Sequence, residues 1–217
     1  MKWSFKREIF PFAILLILAC VTLYYYPSLP DMMPIHFDAK GNINGWTEKS
    51  IFFAVNFVMM LGLYFLITFV PFFDPLRKKI ESKYGILLLF RDVVFGFLAF
   101  NVGLCILASF EGAGRPDLFG VGFGLLFFLI GNYLPKLPQN WFFGIRTPWT
   151  LSSEVIWRKT HIVGGWLFAA SGVVIIVLSL LKVSMVVTLL ILLPVILISC
   201  LLYPLYLFKK LQKTNEL

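Results

Sequence analysis

Few residues in this 217-residue chain can do chemistry, and they gather in three places. In the first, PSLPDMMPIHFDAKGNINGWTEKS (27–50), His36 and Asp38 share one face if Ile35 to Asp38 is extended. They serve there either as two metal ligands or as hydrogen-bonding braces of the loop; two ligands are too few for a metal site, and no Cys or third acid is well placed to complete one. In the second, Arg91 and Asp92 sit inside an apolar run, with Asn56 and Asn101 in similar surroundings. In the third, NYLPKLPQNWFFGIRTPWTLSSEVIWRKTHIVGGW (132–166) holds four of the six Trp together with Arg146, Arg158 and His161, between runs of Leu, Ile, Val and Phe. None of these makes a catalytic constellation. There is no HExxH, nucleophile elbow, phosphate loop or close carboxylate pair, and the two His fall on opposite sides of a membrane in the topology below. The sequence points away from an enzyme and calls for no cofactor.

The elements that must hold these residues follow from composition. With 59% hydrophobic and 14% charged residues and 24 Phe, the chain lies outside the range of soluble domains. Six segments are long enough for a bilayer core, which needs roughly 20 apolar residues per helix. They run from Ile9 to Tyr26, Ile51 to Phe72, Ile86 to Phe110, Leu118 to Leu134, Ile162 to Leu181 and Val183 to Phe208. Uninterrupted spans in lipid must be helices, because backbone groups find no other partners there. The expected fold is therefore all-α, a polytopic membrane protein of six transmembrane helices. Residues 1–85 form a two-helix unit with an outer loop, and 86–217 a four-helix unit with a large cytoplasmic loop at 135–160.

The net charge of +8 is topological. Lys2, Lys6, Arg7, Arg77, Lys78, Lys79, Lys83, Lys136, Arg146, Arg158, Lys159, Lys209, Lys210 and Lys213 fall on one side, against Lys40, Lys49, Arg115 and Lys182 on the other. The positive-inside rule then places both termini in the cytoplasm of a multi-pass cell-membrane protein. The basic excess implies contact with membrane lipids and no direct binding of nucleic acid. Cys20, Cys105 and Cys200 lie apart in the spans and read as apolar filler. Ile17 to Cys20 looks like a lipoprotein cleavage box, but the apolar run continues to Tyr26, so an uncleaved first helix is expected.

Local signals refine this layout. A basic aromatic lead, Trp3 to Arg7, precedes the first helix, which Pro27 ends. Pro30, Pro34 and the pairs Gly41-Asn42 and Asn44-Gly45 predict a compact, ordered outer loop. Thr47 is placed to cap the second helix. Arg91 and Asp92 lie only about 8–9 Å into the third span at 1.5 Å per residue, so Arg91 can snorkel to the cytoplasmic surface and Asp92 can pair with an Arg of the fourth loop. Asn56 and Asn101 fall at comparable heights and predict an interhelical hydrogen bond. Gly96, Ala99 and Gly103, Gly120 and Gly124, and Gly165, Ala169 and Gly172 predict close-packed helix faces, one of which can serve a homodimer. In the large loop, Thr147-Pro148 or Thr150 starts a short helix, with Ser152, Ser153 and Glu154 in a first turn that continues into the fifth span. That loop reads either as an interfacial brace or as a docking face. The docking reading places Asn132, Asn140, Trp141, Gly144, Arg146, Thr147, Pro148, Trp149, Trp157, Arg158 and His161 in it.

Two stretches, PIHFDAKGNINGW (Pro34 to Trp46) and GNYLPKLPQNWFFGIRTPWTLSSEVIWRKTH (Gly131 to His161), resemble the SdpI family of bacterial immunity proteins. The first is similar to the small uncharacterised domain at the start of such proteins. With the six-helix layout, the resemblance covers nearly the whole chain. It implies a cell-membrane protein of a Gram-positive bacterium that protects its host against a secreted peptide toxin; the family includes a member that is also a toxin receptor and holds a small repressor at the membrane. Carried over, it marks Pro34, His36, Phe37, Gly41 and Gly45 outside, and Asn132, Leu134, Pro135, Asn140, Gly144, Arg146, Thr147, Pro148, Trp157 and His161 inside, and gives them no chemical task. Asp38 joins the outer group as part of a toxin-facing loop. Two other readings stand beside this one: a transporter of small molecules or lipids, with a polar cavity near Asn56, Asp92 and Asn101, and a structural subunit of a larger membrane complex.

Overall fold

A computed structural model describes residues 4–214, so Lys2 and Trp3 lie outside the described residues. Among the described residues six helices are long and apolar enough to cross a membrane, the number expected from hydropathy. In chain order, α1 (Ile9–Tyr25) leads into a hairpin of β1 (Met32–Phe37) and β2 (Ile43–Glu48); then come α2 (Lys49–Phe69), the short α3 (Arg77–Glu81) and α4 (Tyr84–Glu111). After these come α5 (Pro116–Tyr133), the short α6 (Pro148–Ser152), α7 (Glu154–Leu180), α8 (Met185–Leu197) and α9 (Tyr203–Lys213). A π-helical stretch, Ile198–Leu202, joins the last two into one span. Pro194 and Pro204 flank it, and proline's missing N–H breaks the α-helical ladder in this span.

The 27–50 loop is ordered, and most of it forms a two-stranded hairpin. Its strands are antiparallel, with Met32 opposite Glu48 and Pro34 opposite Trp46, and irregular register around His36. Asn42 and Gly41 form the turn, where Gly41 takes φ +90°, a conformation that a Cβ would strain. The hairpin is seated on the bundle by Met33, which is fully buried against Leu29, Phe52, Val102 and Ile106. Its turn is tied down by the Gly114 N–H, which donates to the Gly41 carbonyl at 2.8 Å. Thr47 does not cap α2: the N-cap is Glu48, without a side-chain bond, because Thr47 still belongs to β2 and pairs with Met33.

The closest helix pair is α5 against α7. Gly131 lies against the Ala169 amide, and Gly124 against the Gly172 carbonyl, so any Cβ at these glycines would collide with backbone. The expected stripes on the fourth and fifth spans therefore do pack. The stripe on the third span packs only in part: Ala99 lies against the Met60, Tyr64 and Phe95 cluster, whereas nothing lies within 4 Å of a Cβ built at Gly96 or Gly103. Gly96 lines a lateral groove instead.

Candidate functional site

Both ends of the bundle carry organised polar structure. At one end, where α1 begins and α2 closes, Arg91 is wholly buried. Its Nη1 donates to Glu8 Oε2 at 2.7 Å and to the Thr68 hydroxyl at 3.0 Å, its Nη2 to the Arg7 carbonyl at 2.7 Å, and its Nε to Asp92 at 3.0 Å. The Tyr64 hydroxyl donates to the same Glu8 oxygen at 3.0 Å, and its ring lies 5.2 Å from the guanidinium carbon. Arg91 therefore does not snorkel to the surface, and Asp92 pairs with Arg91 rather than with an Arg of the fourth loop. The reason lies in neighbouring helices: α1 presents Glu8 and the Arg7 carbonyl, and α2 presents Thr68, at the depth where α4 carries Arg91. A buried guanidinium is tolerated when carboxylates and carbonyls take up its donors.

Beside this cluster, the segment from 134 to 161 folds on itself. Asn140 is buried and acts as a hub: its Oδ1 accepts from the Phe142 and Phe143 amides, and its Nδ2 donates to the Pro138 and Phe143 carbonyls. Thr147 caps α6 in a capping box with Thr150, and Ser153 caps α7, so the helix start read in this loop is two starts. Trp157 donates from its indole nitrogen to the Leu137 carbonyl at 2.9 Å and stacks on His161, with ring centroids 4.0 Å apart. His161 bonds the Trp157 carbonyl through Nδ1 and accepts from the Ile145 amide at Nε2, 3.0 Å away. The accepting Nε2 requires a neutral ring with its proton on Nδ1. Gly144, at φ +101°, passes directly over this ring, and a Cβ there would strike Nε2.

Two residues from the α2–α4 connection lock this fold. Buried Asp74 accepts from the Trp141 amide at 2.8 Å, and Lys79 reaches Gln139 at 3.2 Å and Glu154 at 2.6 Å. Trp157 and His161 are thus interior braces, and Asn140 with them, so none can belong to a docking surface. What remains exposed is Asn132, Trp141, Gly144, Arg146, Pro148 and Arg158; Trp149 and Thr147 are half-buried. Arg146 is oriented by a 2.6 Å bond to the Trp141 carbonyl.

At the other end, His36 and Asp38 do not act on one face. His36 Nδ1 bonds Asn44 Oδ1 at 2.5 Å. Asp38 turns back to accept from the Lys40 and Asn42 amides and the Asn42 side chain at 2.7–2.9 Å. These bonds, led by the Asn42 side chain, hold the Asp38 carboxyl below the usual carboxylate value. Pro34 is buried in β1 and Gly41 in the turn, Gly45 lies close against His36, and Phe37 packs on Phe119 at 5.3 Å. The outward surface is made by His36, Ile35 and Trp46. Among the described residues no three His, Cys, Asp or Glu cluster as a metal site would need.

Asn56 and Asn101 do not bond each other. Each amide donates to the carbonyl four residues back in its own helix, Phe52 and Phe97, at 2.8 and 2.7 Å, which satisfies the group without a partner helix. Asn56 lines one cleft of about 310 Å³ and Asp92 another of about 580 Å³, both otherwise walled chiefly by apolar side chains, and Asn101 lines neither. Sequence reasoning missed Glu8, Tyr64, Thr68, Asp74 and Lys79. An acid at the start of the first span was the one available signal for a partner to Arg91.

Fold and site together define a multi-pass, all-α membrane protein with a hairpin at one end and a folded polar cap at the other. Residues 136–206 match the SdpI/YfhL protein family, and residues 13–61 match a domain of unknown function, DUF1648. The chain is 25% identical over 175 residues to "Immunity protein SdpI" of Bacillus subtilis (strain 168), covering 80% of this chain and 82% of that protein. The resemblance seen in the two loops thus extends through an SdpI/YfhL-family segment preceded by a DUF1648 segment. No solved structure matches the chain.

Proposed function

We propose that this is an immunity protein of the cell membrane, protecting its cell against a secreted peptide toxin. The observation that carries the reading is the similarity to an immunity protein across 80% of the chain, through both the hairpin-bearing and the capped segments. The distribution of Lys and Arg supports both termini and the polar cap in the cytoplasm, with the hairpin outside. In this reading the toxin meets the outward face around His36, Ile35 and Trp46. Pro34, Phe37, Asp38, Gly41 and Gly45 hold that face in shape. The protein is not an enzyme in this reading, since the polar groups around Arg91 and Asn140 are spent on structural partners and the two His stand at opposite ends of the bundle.

A regulator, such as a small repressor, docks on the exposed rim of the cap at Trp141, Arg146, Trp149 and Arg158. Trp and Arg are the side chains that most often anchor interfaces. Toxin binding influences that rim only to the extent that it favours one bundle state over another. Residues 1–85 and 86–217 act as the two units of this device, a division that follows the two family segments only loosely. The separate, chiefly apolar clefts at Asn56 and Asp92 lend the transporter reading little support.

The test is survival of a toxin-sensitive bacterium expressing this protein when challenged with the secreted peptide of a related producer. Protection that is lost in Ile35→Asp with Trp46→Ala, at unchanged membrane expression, supports the reading. Undiminished protection in that variant overturns the role of the hairpin face. For the docking rim, Arg146→Ala with Trp141→Ala abolishes capture of a co-expressed small repressor while leaving protection in place.

A further inference from the structure

The hairpin end holds a polar cleft of about 410 Å³, where the hairpin turn, the α4–α5 turn and the α7–α8 turn meet. Three of the four basic residues that the charge pattern assigns to this side, Lys40, Arg115 and Lys182, line it. Two of these cations, Lys40 and Lys182, form no ion pair among the described residues. Arg115 is bonded to Asp117 at 3.3 Å and lies 3.8 Å from Glu111. Asp117 is the one carboxylate in the lining, and with Arg115 neutralising it the two lysines leave the cleft positive.

The cleft wall also contains hydroxyls with nothing to bond. Ser179 and Thr188 are 5% and 2% exposed, and neither hydroxyl has a hydrogen-bond partner among the described residues. Among the described residues the Thr160 hydroxyl is the one fully enclosed side-chain polar atom without a partner, so the Ser179 and Thr188 oxygens are open to the cleft, where they can donate to a ligand with acceptor oxygens. The backbone at Lys182 adds to this. It has φ +55°, the only positive φ outside glycine among the described residues, in a turn where glycine or asparagine would be the relaxed choice. The Val177, Leu178 and Ser179 carbonyls near the end of α7 are taken by the Leu181, Val183 and Lys182 amides.

The level and flanks of the cleft say what kind of anion it takes. It lies where α5 begins and where α7 ends before α8, which is the headgroup level of the spans. Directly below, Leu180, Val186, Leu189 and Leu190 are about half exposed or more and give acyl chains a wall. We infer that this cleft binds the phosphate of an anionic glycerophospholipid headgroup. Lys40 and Lys182 neutralise the phosphate, and Ser179 and Thr188 donate to its oxygens.

The test uses the purified full-length protein in neutral detergent, delipidated and titrated with phosphatidylglycerol or phosphatidylcholine, with bound lipid counted by native mass spectrometry. Phosphatidylglycerol is expected to bind tighter by roughly ten- to thirtyfold, the effect of two cations near a phosphate. Lys40→Gln with Lys182→Asn, which keeps a residue suited to positive φ, is expected to erase that preference, and Thr188→Val to reduce it. Lys136→Gln with Lys210→Gln, at the opposite end, also removes two charges and is the charge-matched control, expected to retain the preference. Equal binding of the two lipids, or a preference that survives Lys40→Gln with Lys182→Asn, overturns the inference. So does a preference lost equally in the Lys136→Gln with Lys210→Gln control, which reports bulk charge. Inorganic phosphate at millimolar concentration is the second probe: if it displaces the lipid completely, the site is one for free phosphate and the lipid assignment falls.

Discussion

The Glu8–Arg91 pair sets the scale for what the capped end contributes to stability. Glu8→Ala removes the carboxylate that receives both Arg91 Nη1 and the Tyr64 hydroxyl, at 2.7 and 3.0 Å, in a site closed to solvent. The guanidinium keeps Asp92, Thr68 and the Arg7 carbonyl but loses its most buried counter-charge. Breaking a buried pair by deleting one partner costs about 3–5 kcal/mol. Asp92, one-fifth exposed and still bonded, sets the cost near the lower end of that range. At about 2–4 °C per kcal/mol for a chain of this size, a loss of 3 kcal/mol lowers the Tm by roughly 6–12 °C. The assay is thermal unfolding in detergent, followed by intrinsic fluorescence and by the monodisperse fraction after heating. Glu8→Met with Arg91→Met removes both charges and fills the space with flexible apolar side chains, so it is expected to recover most of the loss. A Glu8→Ala protein whose Tm stays within about 2 °C of the parent would refute the reasoning, since that shift is below 1 kcal/mol. A double variant worse than the sum of the singles would refute it equally.

Three further outcomes follow from the same geometry. Gly144→Ala places a Cβ on the His161 ring at a positive φ and is expected to cost about 1–3 kcal/mol, read as a lowered Tm with loosened packing around Trp157. Asp74→Ala orphans the Trp141 and Leu76 amides and is expected to cost about 1–3 kcal/mol, whereas Lys79→Ala breaks a part-exposed ion pair worth about 0.2–1 kcal/mol; limited proteolysis of the 134–147 segment ranks the two. For Asp38, the folded carboxyl titrates below its ordinary value of 3.8, so its contribution to the hairpin turn is fully present above that pH and is lost as pH falls through the lower folded value. Acidification is therefore expected to loosen the turn only below about pH 4, seen as a Trp46 fluorescence change that Asp38→Ala removes.

The sequence by itself determined the number of spans, their helical form and the charge asymmetry of the loops. These depend on stretches of apolar residues and on the demand for backbone pairing in lipid, both local properties of the chain. It also offered Thr147 as a helix start, because a cap needs only the next three residues, but placed Ser153 in a first turn, where the structure makes it the cap of a second helix. The small-residue faces of α5 and α7 were legible too, since small residues at helical spacing permit close approach, though not that these two faces meet. Only the tertiary structure decided which polar residues face one another. Arg91 looked able to reach the surface until α1 brought Glu8 to the same depth, and Asn56 and Asn101 matched in height yet bond within their own helices. Trp157 and His161 carry the side chains of a docking site, but the Leu137 carbonyl and the Ile145 amide take up their polar atoms and turn them inward. Lys40 and Arg115 are 75 residues apart along the chain, and Arg115 and Lys182 are 67 apart, and they share one cleft only because three turns meet at one end of the bundle. Such meetings depend on how helices pack and turn about their axes, which hydropathy along a single chain does not encode.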